Sequence, residues 1–185
     1  EGFGRAGATF AKHAESLDIK ILGIVTIEGG IFDEDGLNIR KLLELKKQHG
    51  DKLVHHYESE NVIKLANDKL FDLSSDYSID IIIPGSRTNV INESNINNIE
   101  TNVIIPTSYS PYQQGILDTL SEKDILAYPD FISNAGDILA IDSEQKRNIG
   151  LTEEQFINKK VCQKTREILQ NSEKLKVIPY NYAKE

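Results

Sequence analysis

Apolar residues in this chain come in short runs, each closed by glycine, proline or a polar cluster. Ile19 to Val25 is apolar nearly throughout and predicts a buried strand covered on both faces. Ile79 to Pro84, Asn102 to Thr107 and Ile125 to Pro129 predict further core strands. Helical spacing lies between them. Arg5 to Ser16 places Phe10 and Ala14 on one face, and Gly36 to His49 turns Leu37, Leu42, Leu43 and Leu45 inward. Lys46 and Lys47 fall in the last turn of that second helix, with Gly50 as its C′ residue. Ser110 and Gln113 form a capping box with Pro111 at N1, predicting a helix from there to about Glu122. Thr152 and Gln155 form a second box, leading a long helix to about Gln170 with Ile157, Val161, Thr165, Ile168 and Leu169 on one face. Asn61 to Asp72 and Ser94 to Ile99 read as short helices, Asp130 to Asn148 as mostly helical, and the tail from Pro179 to Glu185 as frayed.

Strands alternating with helices predict an α/β fold, a doubly wound, mostly parallel, Rossmann-like sheet with right-handed crossovers and a C-terminal helix. Residues 1–150 form the sheet domain and 151–185 a C-terminal helical segment. Loops rich in small or polar residues follow the strands at Glu28-Gly29-Gly30 and at Gly85-Ser86-Arg87-Thr88-Asn89. In open α/β sheets that edge is the ligand crevice.

Composition narrows the setting. At 185 residues and 39% apolar content, one domain with a full core is expected. A net charge of −8 argues against a nucleic-acid or anionic-membrane partner. The single cysteine, Cys162, cannot form an internal disulfide, which favours a reducing, cytoplasmic setting; it lies beside an apolar stripe and reads as a small packed hydrophobe. His55-His56 has no third ligand near it in sequence, so both are read as surface residues.

The candidate chemistry sits at the start. Gly2, Gly4 and Gly7 fill G-x-G-x-x-G ahead of the first helix. In a dinucleotide site the first glycine makes the tight turn, the second admits a pyrophosphate to the backbone, and the third lets helix and strand pack closely. An acid about 20 positions on takes the ribose hydroxyls. Glu28 stands near that place, as a ribose ligand or as a solvated loop carboxylate. The motif ordinarily follows a strand, yet only Glu1 precedes it here and no methionine occurs, so the C-terminal part of a longer protein is expected.

Taken together, Gly2-Phe3-Gly4, Glu28-Gly29-Gly30-Ile31-Phe32, Asp35-Gly36-Leu37, Ile81-Ile82-Ile83-Pro84, Asn89-Val90-Ile91, Pro129-Asp130 and Asn134-Ala135-Gly136 resemble the glutamate/leucine/phenylalanine/valine dehydrogenases, glutamate dehydrogenases above all. The resemblance covers residues 1–150. It implies reversible NAD(P)-dependent oxidative deamination of an amino acid to a 2-oxo acid and ammonia, in a homo-oligomer, usually a hexamer, or beside an active subunit. The family's catalytic lysine and aspartate lie in an N-terminal domain absent from these residues. By resemblance, the cofactor loop is Gly2, Phe3, Gly4, Arg5, Ala6 and Gly7, the backbone of Gly4, Arg5 and Ala6 holding the pyrophosphate, with Glu28 at the adenine-side ribose. Gly85, Ser86 and Asn89 line the nicotinamide side, and Asn134 reaches the nicotinamide amide.

Departures from the family pattern bear on activity. Arg5 replaces the usual asparagine, and would pair with a phosphate or point at water. The ribose acid falls on Ile27 or Glu28 according to the alignment. If Glu28 faces the ribose, its charge favours NAD over NADP. Gly85 and Ser86 replace two alanines. Tyr109 stands where an asparagine neighbours the nicotinamide, to stack on the ring or block it. Ile141 replaces the serine that contacts the substrate side chain, and cannot hydrogen-bond a γ-carboxylate. Two readings follow: the cofactor-binding domain of an amino-acid dehydrogenase, or a catalytically degenerate relative kept as a nucleotide-binding or regulatory subunit.

Overall fold

A computed structural model describes residues 1–145 and 152–185. The last residues of the stretch expected to be helical to Asn148, and the boundary expected at 150/151, lie outside the described residues. Helix α1 (Arg5–Ser16) leads to β1 (Gly23–Thr26) and β2 (Gly29–Phe32), then α2 (Ile39–His49), the one-turn α3 (Leu53–His56) and β3 (Ile63–Leu65). Next come β4 (Ile81–Ile82), β5 (Val103–Ile104), α4 (Ile116–Glu122) and β6 (Leu126–Ala127). Helices α5 (Asp130–Ser133), α6 (Gly136–Gln145), α7 (Glu153–Leu175) and α8 (Pro179–Tyr182) complete the order.

The α/β class, the parallel sheet and the C-terminal helix are as expected. Strands β4, β5 and β6 pair in parallel in that order, Ile82 opposite Ile104 and Ile104 opposite Ala127. The departure is at β1, which is not flanked by parallel neighbours but folds back antiparallel on β2, which pairs antiparallel with β3. Gly29 and Gly30, expected to be a turn, are strand residues. The turn is Ile27-Glu28, between the paired Thr26 and Gly29. A Cβ on Gly30 would come within 2.8 Å of Val25 Cγ2, so this glycine permits a close cross-strand approach. The expected helix at 61–72 is replaced by β3, because β2 offers an open edge to Ile63–Leu65.

Two cores result. Ile82, Ile91, Ile99, Ile104 and Leu120 pack around the parallel sheet. Phe3, Ala11, Ile24, Ile31, Leu42 and Leu53 pack between α1, α2 and the hairpin. Between β1 and β4 runs a cleft of about 640 Å³ whose apolar walls include Phe3, Ile21, Ile24, Ile79 and Ile82. Among the described residues, β1 pairs only with β2 and β4 only with β5.

Local signals failed where tertiary pairing outweighed them. Ser110 and Gln113 do not cap a helix: Ile91 N–H donates to the Pro111 carbonyl at 3.0 Å and Gln113 N–H to the Ile91 carbonyl at 2.9 Å. Helix α4 starts only after Gly115, whose φ is +84. The box at Thr152 and Gln155 does form. Cys162 is exposed rather than packed, since α7 buries Phe156, Ile168 and Ser172 instead.

The tail is docked, not frayed. Pro179 opens α8, Asn171 Nδ2 donates to Tyr182 Oη at 2.9 Å, and Tyr180 packs edge-on against Tyr112 and Phe131 with centroids 5.6 Å apart. Tyr180 Oη donates to Asp130 Oδ1 at 3.0 Å. Burial first, then the Asp130 charge and this hydrogen bond, push the Tyr180 pKa up to about 12. The folded chain therefore holds the phenolic proton more tightly than the unfolded chain, whose value is near 10. Stability from this group is complete below pH 10 and is lost as pH rises through 12. Tyr180→Phe should lower stability by about 1 kcal/mol at neutral pH. Denaturant titrations across pH 9–12 should show a shallower alkaline decline for the variant than for the wild type.

Candidate functional site

The glycine loop ties the ends of the two sheets together. Gly2 and Phe3 N–H both donate to the Val25 carbonyl, at 3.1 and 2.9 Å, and Glu1 N donates to the Ile83 carbonyl at 2.8 Å. The loop thus joins the C-terminal ends of β1 and β4, at the edge where ligands of open α/β sheets bind.

Gly2 and Gly7 each have a steric reason, and Gly4 has none. Gly2 has a φ of +88, and a Cβ there would lie 2.8 Å from the Gly85 carbonyl carbon and 2.9 Å from Ser86 N. A Cβ on Gly7 would overlap the Gly2 carbonyl oxygen, so Gly7 lets α1 close down on the loop. Gly4 meets nothing within 4 Å and opens to solvent. The first turn of α1 carries no acidic residue, and no side chain caps the helix at Gly4. Ala8 N–H makes the first bond to Gly4, at 3.0 Å, which leaves the Arg5, Ala6 and Gly7 amides directed off the helix end. Arg5 and Ala6 are exposed.

The β4 loop packs beside this turn. A Cβ on Gly85 would overlap Thr107 Oγ1. Thr107 N–H donates to the Pro84 carbonyl at 2.8 Å, and Asn134 Nδ2 donates to the Ser108 carbonyl at 3.0 Å. Residues 1–7, 84–86, 107–108 and 134 therefore form one wall. Asn89 lies further along, held by its N–H to the Ser110 carbonyl at 2.9 Å with φ +51. Tyr109 and Ile141 are 66% and 61% exposed, so neither is occupied by core packing.

Glu28 sits in the β1–β2 turn at the same edge, its N–H donating to Thr26 Oγ1 at 3.1 Å and its carboxylate 3.5 Å from His55 Nε2. His56 instead stacks on His49, ring centroids 3.8 Å apart. No cluster of three metal-type ligands occurs among the described residues.

Sequence reasoning missed Glu1. Its Oε2 accepts from Gly85 N–H at 3.2 Å and Ser86 N–H at 3.1 Å, and its Oε1 accepts from Ser86 Oγ. An acid placed just before the first glycine was the available signal. Thr107 was missed too, because nothing in sequence marks it as the residue against Gly85.

Comparison with known proteins follows the same lines. The profile of the Glutamate/Leucine/Phenylalanine/Valine dehydrogenase family matches residues 1–177. The NADP-specific glutamate dehydrogenase of Saccharolobus shibatae is 30% identical over 148 residues, 80% of this chain and 33% of that protein. The cryptic catabolic NAD-specific glutamate dehydrogenase GudB of Bacillus subtilis is 31% identical over 139 residues, 75% of this chain and 30% of that protein. Among solved structures, the hetero-hexameric glutamate dehydrogenase of Thermus thermophilus in its Leu-bound form superposes with a TM-score of 0.78 at 19% identity, over 98% of this chain and 42% of the other. The chain belongs to the glutamate/leucine/phenylalanine/valine dehydrogenase family. It spans about a third of the length of the curated relatives it matches.

The steric contrast between the glycines gives a test on stability alone. Gly7→Ala should cost about 2 kcal/mol or more despite alanine's better helix propensity. Gly4→Ala should stay within about 0.5 kcal/mol of wild type. Urea denaturation of both variants measures the difference.

Proposed function

We propose that this chain is the cofactor-binding part of a glutamate-type amino-acid dehydrogenase, serving NAD(P)-dependent oxidative deamination to a 2-oxo acid and ammonia. The observation that carries it is the division of labour among Gly2, Gly4 and Gly7 at an uncapped helix end: a tight turn, an open approach and a close packing. The loop of Gly2, Phe3, Gly4, Arg5, Ala6 and Gly7 fits a diphosphate, received by the amide hydrogens of residues 4–7 and the positive end of α1, since the Gly2 and Phe3 amides are bonded to Val25. The nicotinamide cofactor, when bound, accepts hydride from the amino acid's α-carbon.

This chain's residues bind and orient. Glu28 accepts from the adenine-side ribose and its charge repels a 2′-phosphate, which favours NAD. Gly85, Ser86 and Asn89 line the nicotinamide-side ribose, and Asn134 addresses the nicotinamide amide while tethered to Ser108. Tyr109 offers a ring face beside it. The family's catalytic lysine and aspartate belong to a separate domain, and a cytoplasmic oligomer of such subunits is the setting proposed.

Ile141 favours a second reading. An exposed aliphatic group where a substrate-contacting serine is expected fits a less polar amino acid, or a subunit that keeps the nucleotide site and leaves the reaction to a partner. A hetero-hexamer is the assembly of the Thermus thermophilus relative.

Calorimetric titration of the 185-residue chain with NAD and NADP tests both. Measurable NAD binding is expected, weakened at least about tenfold by Gly4→Leu. Binding of neither nucleotide would overturn the cofactor-binding assignment itself. Glu28→Ser should raise NADP affinity relative to NAD by about tenfold; an unchanged ratio would remove Glu28 from the ribose site.

A further inference from the structure

The amides of Gly85 and Ser86 point toward the glycine loop, and a carboxylate of this chain already answers them. Both oxygens of Glu1 are used: Oε2 takes the two backbone N–H groups, at 3.2 and 3.1 Å, and Oε1 takes the Ser86 hydroxyl. Glu1 and Ser86 are 85 residues apart in sequence, so this contact bridges the two halves of the crevice wall. The backbones are in close approach at the same place, through Gly2 against Gly85 and Ser86, and Gly85 against Thr107 and the Glu1 carbonyl. Steric contact sets how near the two loops come. It does not set the rotation of the Gly85–Ser86 peptide, which the directional, charge-assisted bonds to Glu1 do.

We propose that Glu1 is a positioning residue: its carboxylate clasps Gly85 and Ser86 and fixes the β4 loop at the orientation that receives the nicotinamide half of the dinucleotide. The inference rests on the cofactor reading above. It has a second consequence. Three donors at the end of β4 are consumed by an internal anion, so the diphosphate is confined to the donors of Gly4, Arg5, Ala6 and Gly7. Glu1 touches no reacting atom; it acts through Gly85 and Ser86.

The test separates the clasp from the cofactor reading by using one readout that needs no ligand. Amide hydrogen exchange at Gly85 and Ser86 should accelerate about tenfold in Glu1→Ala. In Glu1→Gln it should recover to within about threefold of wild type, since an amide oxygen can still accept both N–H groups. Unchanged exchange in Glu1→Ala overturns the clasp while leaving the cofactor reading intact. Calorimetry with NAD and with ADP then reads the function. Glu1→Ala should weaken NAD about tenfold, with ADP within about twofold because it lacks the nicotinamide half. A merely structural role would weaken both nucleotides together, and that result overturns the proposal. Ser86→Ala should lose an intermediate amount, and Glu1→Ala/Ser86→Ala no more than Glu1→Ala alone, because the hydroxyl acts through the carboxylate. Additive losses overturn the coupling. Wild-type chain binding neither NAD nor ADP overturns the cofactor reading and this positioning role with it, even where exchange shows the clasp.

Discussion

The glycine loop and the loop after β4 meet backbone to backbone where no side chain fits, and the rest of the molecule is arranged to let them. Gly2 lies against Gly85 and Ser86, Gly7 lies over the Gly2 carbonyl, and Gly85 lies against Thr107. Interiors pack too tightly to absorb an extra carbon at such points without moving backbone. The constraint passes outward in both directions: Val25, at the end of β1, accepts two hydrogen bonds from the loop, and Ile83, just after β4, accepts one. One turn of chain thereby couples an antiparallel hairpin and a parallel sheet that share no strand. The two apolar cores behind them then have fixed places from which to present the crevice.

The parallel half was legible because its signal is redundant. Ile81-Ile82-Ile83 is a β-branched run closed by proline, and such a run has few places to go in an α/β domain other than a core strand. Helix ends were legible where the cap is self-contained, as at Thr152 and Gln155, whose two hydrogen bonds need no third residue. The hairpin was not. Gly29-Gly30 has the composition of a turn, and only the proximity of Val25 explains why a strand needs a glycine there. Ser110 and Gln113 failed for the complementary reason. Both carry the right side chains for a cap, yet Asn89 and Ile91 claim the local backbone first. Local chemistry proposes and long-range pairing decides, so errors gather where a segment's partner is far away in sequence.

The candidate site divides the same way. The glycine spacing was readable as a motif, although only Gly7 answers a neighbour in sequence, the Gly2 carbonyl, while Gly2 answers Gly85 and Ser86. Glu1 was not, because its meaning depends on residues 84 and 85 positions away. Glu28 falls between: its position at the end of β1 is visible in sequence, whereas its nearness to His55, a surface residue as expected, depends on where α3 folds. Cys162 shows the limit of periodicity. One step of about 100° around a helix separates a packed position from an exposed one, and α7 places its buried face elsewhere.

Asp130 joins α8 to the segment beside Tyr109. It is a buried carboxylate with its two oxygens facing opposite ways: Oδ2 takes Ser110 N–H at 2.8 Å, and Oδ1 takes the Tyr180 hydroxyl at 3.0 Å. Ser110 is held at a φ of +48, a left-handed conformation that is disfavoured for serine and needs a tether to persist. One side chain therefore links α8 to the residue next to Tyr109, and loss of either partner would leave a buried carboxylate oxygen unanswered.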